Sequence, residues 1–242
     1  MLSKSTIKGI QSLQQKKFRD ELGRFVAEGP KLVDELIANA NFEYETIYAI
    51  DTWKPVNFIH EEKIERVRDF ELEKISGLVK PNAVLAVFKK RISDHKFNTK
   101  HKITLVLDDL QDPGNLGTII RTADWFGIEN IVCSPATADM YNPKVVQSTM
   151  ASLGRVNIIY ADLASWLQQH NDIKILAATL EGRPLSDFKN IQEAIVIIGN
   201  ESKGISKNLL KISHEKITIP QFGKAESLNA GVAAGIILYQ LK

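Results

Sequence analysis

The sequence predicts an α/β protein in two parts, a small mixed N-terminal domain and a larger C-terminal parallel sheet with helices on both faces. Three observations carry this. Near-continuous apolar runs alternate with helix-like segments from residue 103 to the end, which is how strands buried on both faces and joined by crossover helices read. A polar, basic stretch, KKRISDHKFNTKHK at 89–102, separates the strand-like runs AVLAVF (83–88) and ITLVLDDL (103–110), as a linker does. The length, 242 residues, is ample for two cores. The expected division is 1–90, a linker over 91–102, and 103–242.

In chain order, Ile7, Ile10 and Leu13 recur at helical spacing. Phe25-Val26-Ala27 is a short strand. Pro30 opens the helix KLVDELIANA in its first turn, where a missing N–H is tolerated. TIYAI (46–50) and AVLAVF (83–88) read as buried strands, with a helix near 70–76 between them. In the second part, strands are expected at 103–110, 130–134, 156–161, 173–180, 194–200 and 216–220. Helices are expected near 116–126, 143–153, 162–170, 203–211 and 226–241.

Composition excludes several classes. The single cysteine, Cys133, rules out an intrachain disulfide, and in Ile131-Val132-Cys133 it reads as a small buried hydrophobe. The five histidines show no metal-ligand spacing, so no metal is expected. No apolar run approaches the roughly 18 residues that span a bilayer, and the N-terminus lacks a signal-peptide core. These features predict a cytoplasmic protein that uses no membrane. Net charge is only +2, but the first 24 residues hold six basic and two acidic side chains. Such a segment is either a solvated helix face or a contact for phosphates.

Three strand-end segments carry the chemistry, because ligands of open parallel sheets bind beyond the C-terminal ends of strands. The first is DPGNLGTIIR (112–121). Pro113-Gly114 makes a turn, Asn115 is a good helix cap, and Arg121 follows within two turns. The second, GNESKG (199–204), is neither a Walker loop nor a dinucleotide fingerprint. Glu201 would oppose a polyphosphate, so the loop suits a cofactor without phosphates. The third runs from Ile219-Pro220 through Gly223 to Ser227-Leu228-Asn229, then into a helix rich in Ala and Gly. Each internal glycine costs about 1 kcal/mol relative to alanine, which implies close packing against backbone or ligand. The missing G-x-G-x-x-G disfavours a dehydrogenase, and the missing G-x-S-x-G disfavours a serine hydrolase.

N-x-G-x-x-x-R, G-N-E-x-x-G and I-P-x-x-G-x-x-x-S-L-N, each after a strand and in this order, resemble the SpoU (TrmH-like) family of RNA 2′-O-ribose methyltransferases, within the SPOUT superfamily. The stretch IKGIQSLQQKKFRDELGRFVAEGPKLVDE resembles that family's ribosomal-protein-like substrate-binding domain. The resemblance implies a catalytic domain with a deep trefoil knot, a homodimer formed through it, S-adenosylmethionine as methyl donor with S-adenosylhomocysteine as product, and an RNA substrate. Carried over, Asn115, Arg121, Glu201, Ser227 and Asn229 are the implied catalytic set. Thr179, Leu180, Gly199, Ile219 and Leu228 are the implied cofactor site. Lys8, Lys17 and Arg19 are the expected RNA contacts. A separate N-terminal domain favours ribosomal over transfer RNA, since a structured target offers more surface to read. The alternative is a non-catalytic RNA-binding or ribosome-assembly protein that retains the fold.

Overall fold

The computed structural model describes residues 1–39, 41–57, 59–91 and 98–242. The chain forms two compact units. One is Met1–Ile92 with Asp139–Gly154, and the other is Ser93–Ala138 with Arg155–Lys242. Half of the expected linker, residues 92–97 of 91–102, lies outside the described residues.

In the first unit, α1 (Lys4–Ser12) is capped by Ser3, whose side chain accepts from the Thr6 amide at 3.0 Å. A further helix, α2 (Lys16–Leu22), ends on Gly23 in the left-handed region, where glycine is at home. Then come β1 (Arg24–Glu28), α3 (Pro30–Ala38) with its proline in the first turn, β2 (Tyr44–Ala49), β3 (Ile64–Arg66), α4 (Asp69–Ile75) and β4 (Val84–Lys89). The sheet order is β1-β4-β2-β3. Its β4 is antiparallel to both neighbours, and β3 is parallel to β2. Ile10, Leu13, Val26, Tyr48, Leu72, Ile75 and Leu85 share one core cluster, so the apolar stripe of α1 is buried as its spacing predicts.

The second unit opens with β5 (Ile103–Leu107), α5 (Pro113–Trp125) and β6 (Asn130–Cys133). The chain then contributes α6 (Pro143–Thr149) to the first unit, against β1. It returns through β7 (Asn157–Tyr160), α7 (Leu163–Gln168), β8 (Ile175–Pro184), β9 (Ala194–Ile198), α8 (Lys207–Ile212), β10 (Glu215–Thr218) and α9 (Ala230–Leu241). Among the described residues these strands form one parallel sheet in the order β10-β8-β9-β5-β6-β7. Val106, Val132 and Ile197 cluster with Leu163, Trp166 and Leu209 of α7 and α8. Leu105 and Leu107 are equally buried but one residue out of phase, so they point to the other face. Both faces are therefore covered, which is why the strands lack apolar–polar alternation. Helices α5 and α9 pack on each other. A Cβ on Gly231 would stand 2.8 Å from Thr118 Cγ2, and one on Gly235 3.7 Å from Thr122 Cγ2. The small residues of α9 thus permit the close approach of α5.

Candidate active site

The sheet order places β5 beside β9, so the loops leaving these strands start as neighbours. They are tied together immediately. The Asp108 amide donates to the Ile198 carbonyl at 2.9 Å, and Asp108 Oδ2 accepts from the Ser206 amide at 2.7 Å. Asn200 shapes the second loop. Its Oδ1 accepts from the amides of Ser202 and Lys203, and its Nδ2 donates to the Asp109 carbonyl at 2.7 Å. Backbone bonds between Asn200 and Gly204 close the loop. A Cβ on Gly199 would lie 2.4 Å from the Gly204 carbonyl carbon, so only glycine fits there. Hydrogen bonds from Gln111 and then from Lys203 hold the Asp109 carboxyl below the usual carboxylate range.

The expectation that Asn115 caps α5 is wrong. Asp112 is the cap, with Oδ1 accepting from the Asn115 amide at 2.8 Å and Pro113 in the first turn. A proline at the first helical position leaves the residue before it as cap. That frees the Asn115 side chain. Its Nδ2 donates to Glu201 Oε1 at 2.7 Å, and its Oδ1 accepts from Asn229 Nδ2 at 2.7 Å. Asn229 is itself the cap of α9, its Oδ1 accepting from the amides of Gly231 and Val232 at 2.9 and 3.3 Å. The polarity is fixed from both ends: the α9 amides can only donate, and an ionised Glu201 can only accept. The three loops are thus joined by one directed relay, from the α9 amides through Asn229 and Asn115 to Glu201.

The relay borders a cavity of about 740 Å³. Thr179, Leu180, Gly199, Ile219 and Leu228, the five expected cofactor residues, all line it, as do Glu201 and Ser227. The Thr179–Leu180 wall arises from a break in pairing. On β8, Ala177 pairs with Lys216 but the next paired residue is Arg183, opposite Ile217. The intervening residues leave the ladder toward the cavity, and Thr218 Oγ1 donates to the Leu180 carbonyl at 3.0 Å to hold them. Gly182 lets the strand rejoin, since a Cβ there would meet the Lys216 backbone at 2.7 Å. Main chain and apolar side chains such as Ile198, Ile217 and Ile237 dominate the walls. The charged lining residues are Glu181, Glu201, Lys203, Lys216 and Glu226, and no arginine fork faces a polyphosphate. The size lies within the range for small-molecule sites. These walls fit a nucleoside cofactor without phosphates.

Arg121 lies six residues beyond Asn115 on α5. It is exposed and makes no hydrogen bond or ion pair among the described residues. Ser227 is exposed at the cavity edge. In the first unit Lys8 and Lys17 are exposed, on α1 and α2. Arg19 overturns its expectation. It is 1% exposed, ion-paired to Asp139 at 2.6 Å and bonded to two carbonyls, so no phosphate can reach it. Sequence reasoning missed Asp112, Asn200 and Gln221, whose Nε2 donates to the Gly223 and Ala225 carbonyls at 3.1 and 2.6 Å. The Asp-Pro pair and the Asn after Gly199 were the available signals. Among the described residues no group of three His, Cys, Asp or Glu side chains is placed to hold a metal, and no helix is long and apolar enough to cross a membrane.

Residues 102–239 match the SpoU rRNA Methylase family, and residues 4–86 match the MRM3-like substrate binding domain. Among curated proteins the chain is 29% identical to the 23S rRNA (guanosine(2553)-2′-O)-methyltransferase RlmP of Bacillus subtilis, over 98% of this chain and 95% of that one. Among solved structures it resembles a TrmH-family protein from Porphyromonas gingivalis with a TM-score of 0.90 and 33% identity, covering 100% of this chain and 98% of the other. It also resembles an AdoMet-bound rRNA methyltransferase from Sinorhizobium meliloti, with a TM-score of 0.87 and 28% identity over 100% and 96% of the two chains.

Proposed function

The chain belongs to the SpoU rRNA Methylase family, and on that premise we propose that it transfers the methyl group of S-adenosylmethionine to a ribose 2′-hydroxyl of structured RNA, with ribosomal RNA as target. The observation that carries this reading is the Asn229–Asn115–Glu201 relay at the rim of a cavity suited to that cofactor. The relatives support the same chemistry: RlmP is named for 2′-O-methylation of 23S rRNA, and the Sinorhizobium meliloti structure holds AdoMet.

When bound, the cofactor supplies an activated methyl group, and the chain's work is to position and activate the nucleophile. Thr179, Leu180, Gly199, Ile219 and Leu228 hold it in the cavity. Asn115 bonds both Asn229 and Glu201, so the part of the two asparagines is to lock three loops in one geometry, which proximity makes worth several kcal/mol. Arg121, with no protein partner among the described residues, is available to clamp an RNA phosphate and steady the developing alkoxide. A guanidinium stays protonated, so that phosphate or solvent accepts the proton. Ser227 is the hydroxyl free to meet the ribose. The first unit, including Lys8 and Lys17, serves as the RNA-binding part.

The proposal extends to a cytoplasmic homodimer formed through the second unit. Val232, Ile236 and Tyr239 make an exposed stripe on α9, and Trp125 at the end of α5 is 84% exposed. Such a patch marks an interaction surface. Tyr239→Glu should shift the mass in solution from dimer to monomer, as read by light scattering.

Ribose-methylation mapping of total RNA from cells with and without the gene tests the function. Loss of one ribosomal RNA methylation is expected. An unchanged map, with RNA still bound by the purified protein, favours the non-catalytic alternative. Arg121→Ala should nearly abolish labelled-methyl incorporation while cofactor affinity by calorimetry stays within a few fold. Wild-type turnover would remove Arg121 from the mechanism.

A further inference from the structure

Two adjacent loops in the first unit are held from inside by buried charges. Arg19 points inward from α2, and its Nη1 donates to the Leu13 and Gln14 carbonyls at 2.9 Å each, while Nε and Nη2 donate to Asp139 at 3.0 and 2.6 Å. Those carbonyls belong to the turn between α1 and α2. Glu28, buried at the end of β1, accepts from the Gly77 amide at 2.8 Å and from the Ser76 hydroxyl. Ser76 Oγ in turn accepts from the Leu78 amide at 3.0 Å. This fixes the start of the loop between α4 and β4. Its far end is fixed where the Ile50 amide donates to the Ala83 carbonyl at 3.0 Å.

The two loops touch, since a Cβ on Gly77 would lie 2.6 Å from Gln14 Nε2. Burying charge is unfavourable unless every partner is in place. Two such charges beneath neighbouring surface loops therefore hold the backbone there to one shape. Outward, the loops present cations, of which Lys17 stands over the Phe18 ring at 5.9 Å. Lys16 and Lys17 follow the first turn and Lys80 lies in the second loop. All three are exposed and without an ion pair among the described residues. Val79 beside Lys80 is fully exposed, and Glu73 on α4 is the exposed carboxylate that precedes the second loop.

We propose that these two loops form a preshaped contact surface for the RNA phosphodiester backbone. Lys16, Lys17 and Lys80 are its phosphate contacts, and Arg19 and Glu28 are positioning residues. The inference rests on the reading of this protein as an RNA methyltransferase. Fixed loops lose little entropy on binding, which favours a structured RNA over a flexible strand.

The test is filter binding of an unmodified 23S rRNA transcript to the full chain across a salt series, without cofactor. Lys16→Ala/Lys17→Ala/Lys80→Ala should weaken binding at least tenfold at moderate salt. It should flatten the slope of log K against log salt by about 2–3, the shift expected for three lost phosphate contacts. Calorimetric affinity for S-adenosylmethionine should not change. Glu28→Ala should weaken RNA binding several-fold at unchanged cofactor affinity, and Glu28→Gln, which keeps an acceptor for the Gly77 amide, should restore most of it. If Glu28→Ala does not fold, the lysine variant decides, since its changes are all on the surface. Wild-type affinity and slope in the lysine variant overturn the proposal. A wild-type protein that binds the transcript through these lysines yet methylates no RNA overturns the methyltransferase reading and leaves this surface standing.

Discussion

Reversing the middle of the relay is the most exacting perturbation the geometry offers. In Asn115→Asp the donor facing Glu201 becomes an acceptor. The lost bond is charge-assisted, about 1.5–3 kcal/mol in a buried setting. Asn115 is half-buried and Glu201 exposed, so about 1 kcal/mol applies. The new carboxylate also faces Glu201, and two like charges about 4 Å apart repel by about 1 kcal/mol in water and about 4 at an effective dielectric of 20. Residue 115 lies in the first turn of α5, where the helix N-terminus returns about 0.5 kcal/mol to an anion. The net loss is about 2 kcal/mol. Adding Glu201→Gln should recover most of it. The amide then introduced at position 201 donates to the carboxylate introduced at position 115, while Asn229 Nδ2 still donates to that carboxylate's other oxygen. A double-mutant cycle on chemical unfolding should therefore give a coupling of about 2 kcal/mol. Additivity within about 0.5 kcal/mol would mean that the relay does not exist in solution.

Other outcomes follow from close approaches and burial. Gly199→Ala puts a methyl group 2.4 Å from the Gly204 backbone, which cannot yield as a side chain would; calorimetry should show cofactor affinity lost at least tenfold. Gly231→Ala meets the Thr118 methyl at 2.8 Å first, with Thr118 Cβ and Asn229 Oδ1 each at 3.2 Å. It should destabilise by about 1–3 kcal/mol, and Thr118→Ser should relieve most of that in the unfolding midpoint. Cys133 is fully buried, and burial pushes its thiol well above the ordinary range. Thiol reagents should leave the native protein unlabelled at pH 8 and label one site after denaturation.

Much of the second unit was legible because its sequence is locally consistent. The apolar runs around Leu105, Val132 and Val196 can only be strands buried on both faces, and the structure places them so. The convergence of Asn115, Glu201 and Asn229 was legible through the order of motifs, but their bonding was not. Which asparagine caps and which reaches across depends on Asp112 and on α9, far apart in the chain. Arg19 misled for a similar reason. In a run of basic residues it reads as surface, and its partner Asp139 stands 120 residues away. Strand β3, only Ile64–Arg66, is mostly exposed and too short to show a period.

The excursion that lends Asp139–Gly154 to the first unit has a practical consequence for anyone who divides this chain. A fragment ending at residue 91 would strip Arg19 of its counter-ion and Phe25 of Tyr141, whose ring centroid stands 4.8 Å away. An unpaired buried guanidinium costs about 3–5 kcal/mol, a large share of the roughly 5–15 kcal/mol that holds a native domain together. Such a piece should collect in inclusion bodies. A soluble one has to carry residues 139–154 grafted back, so the first unit is not a transplantable module in the ordinary sense.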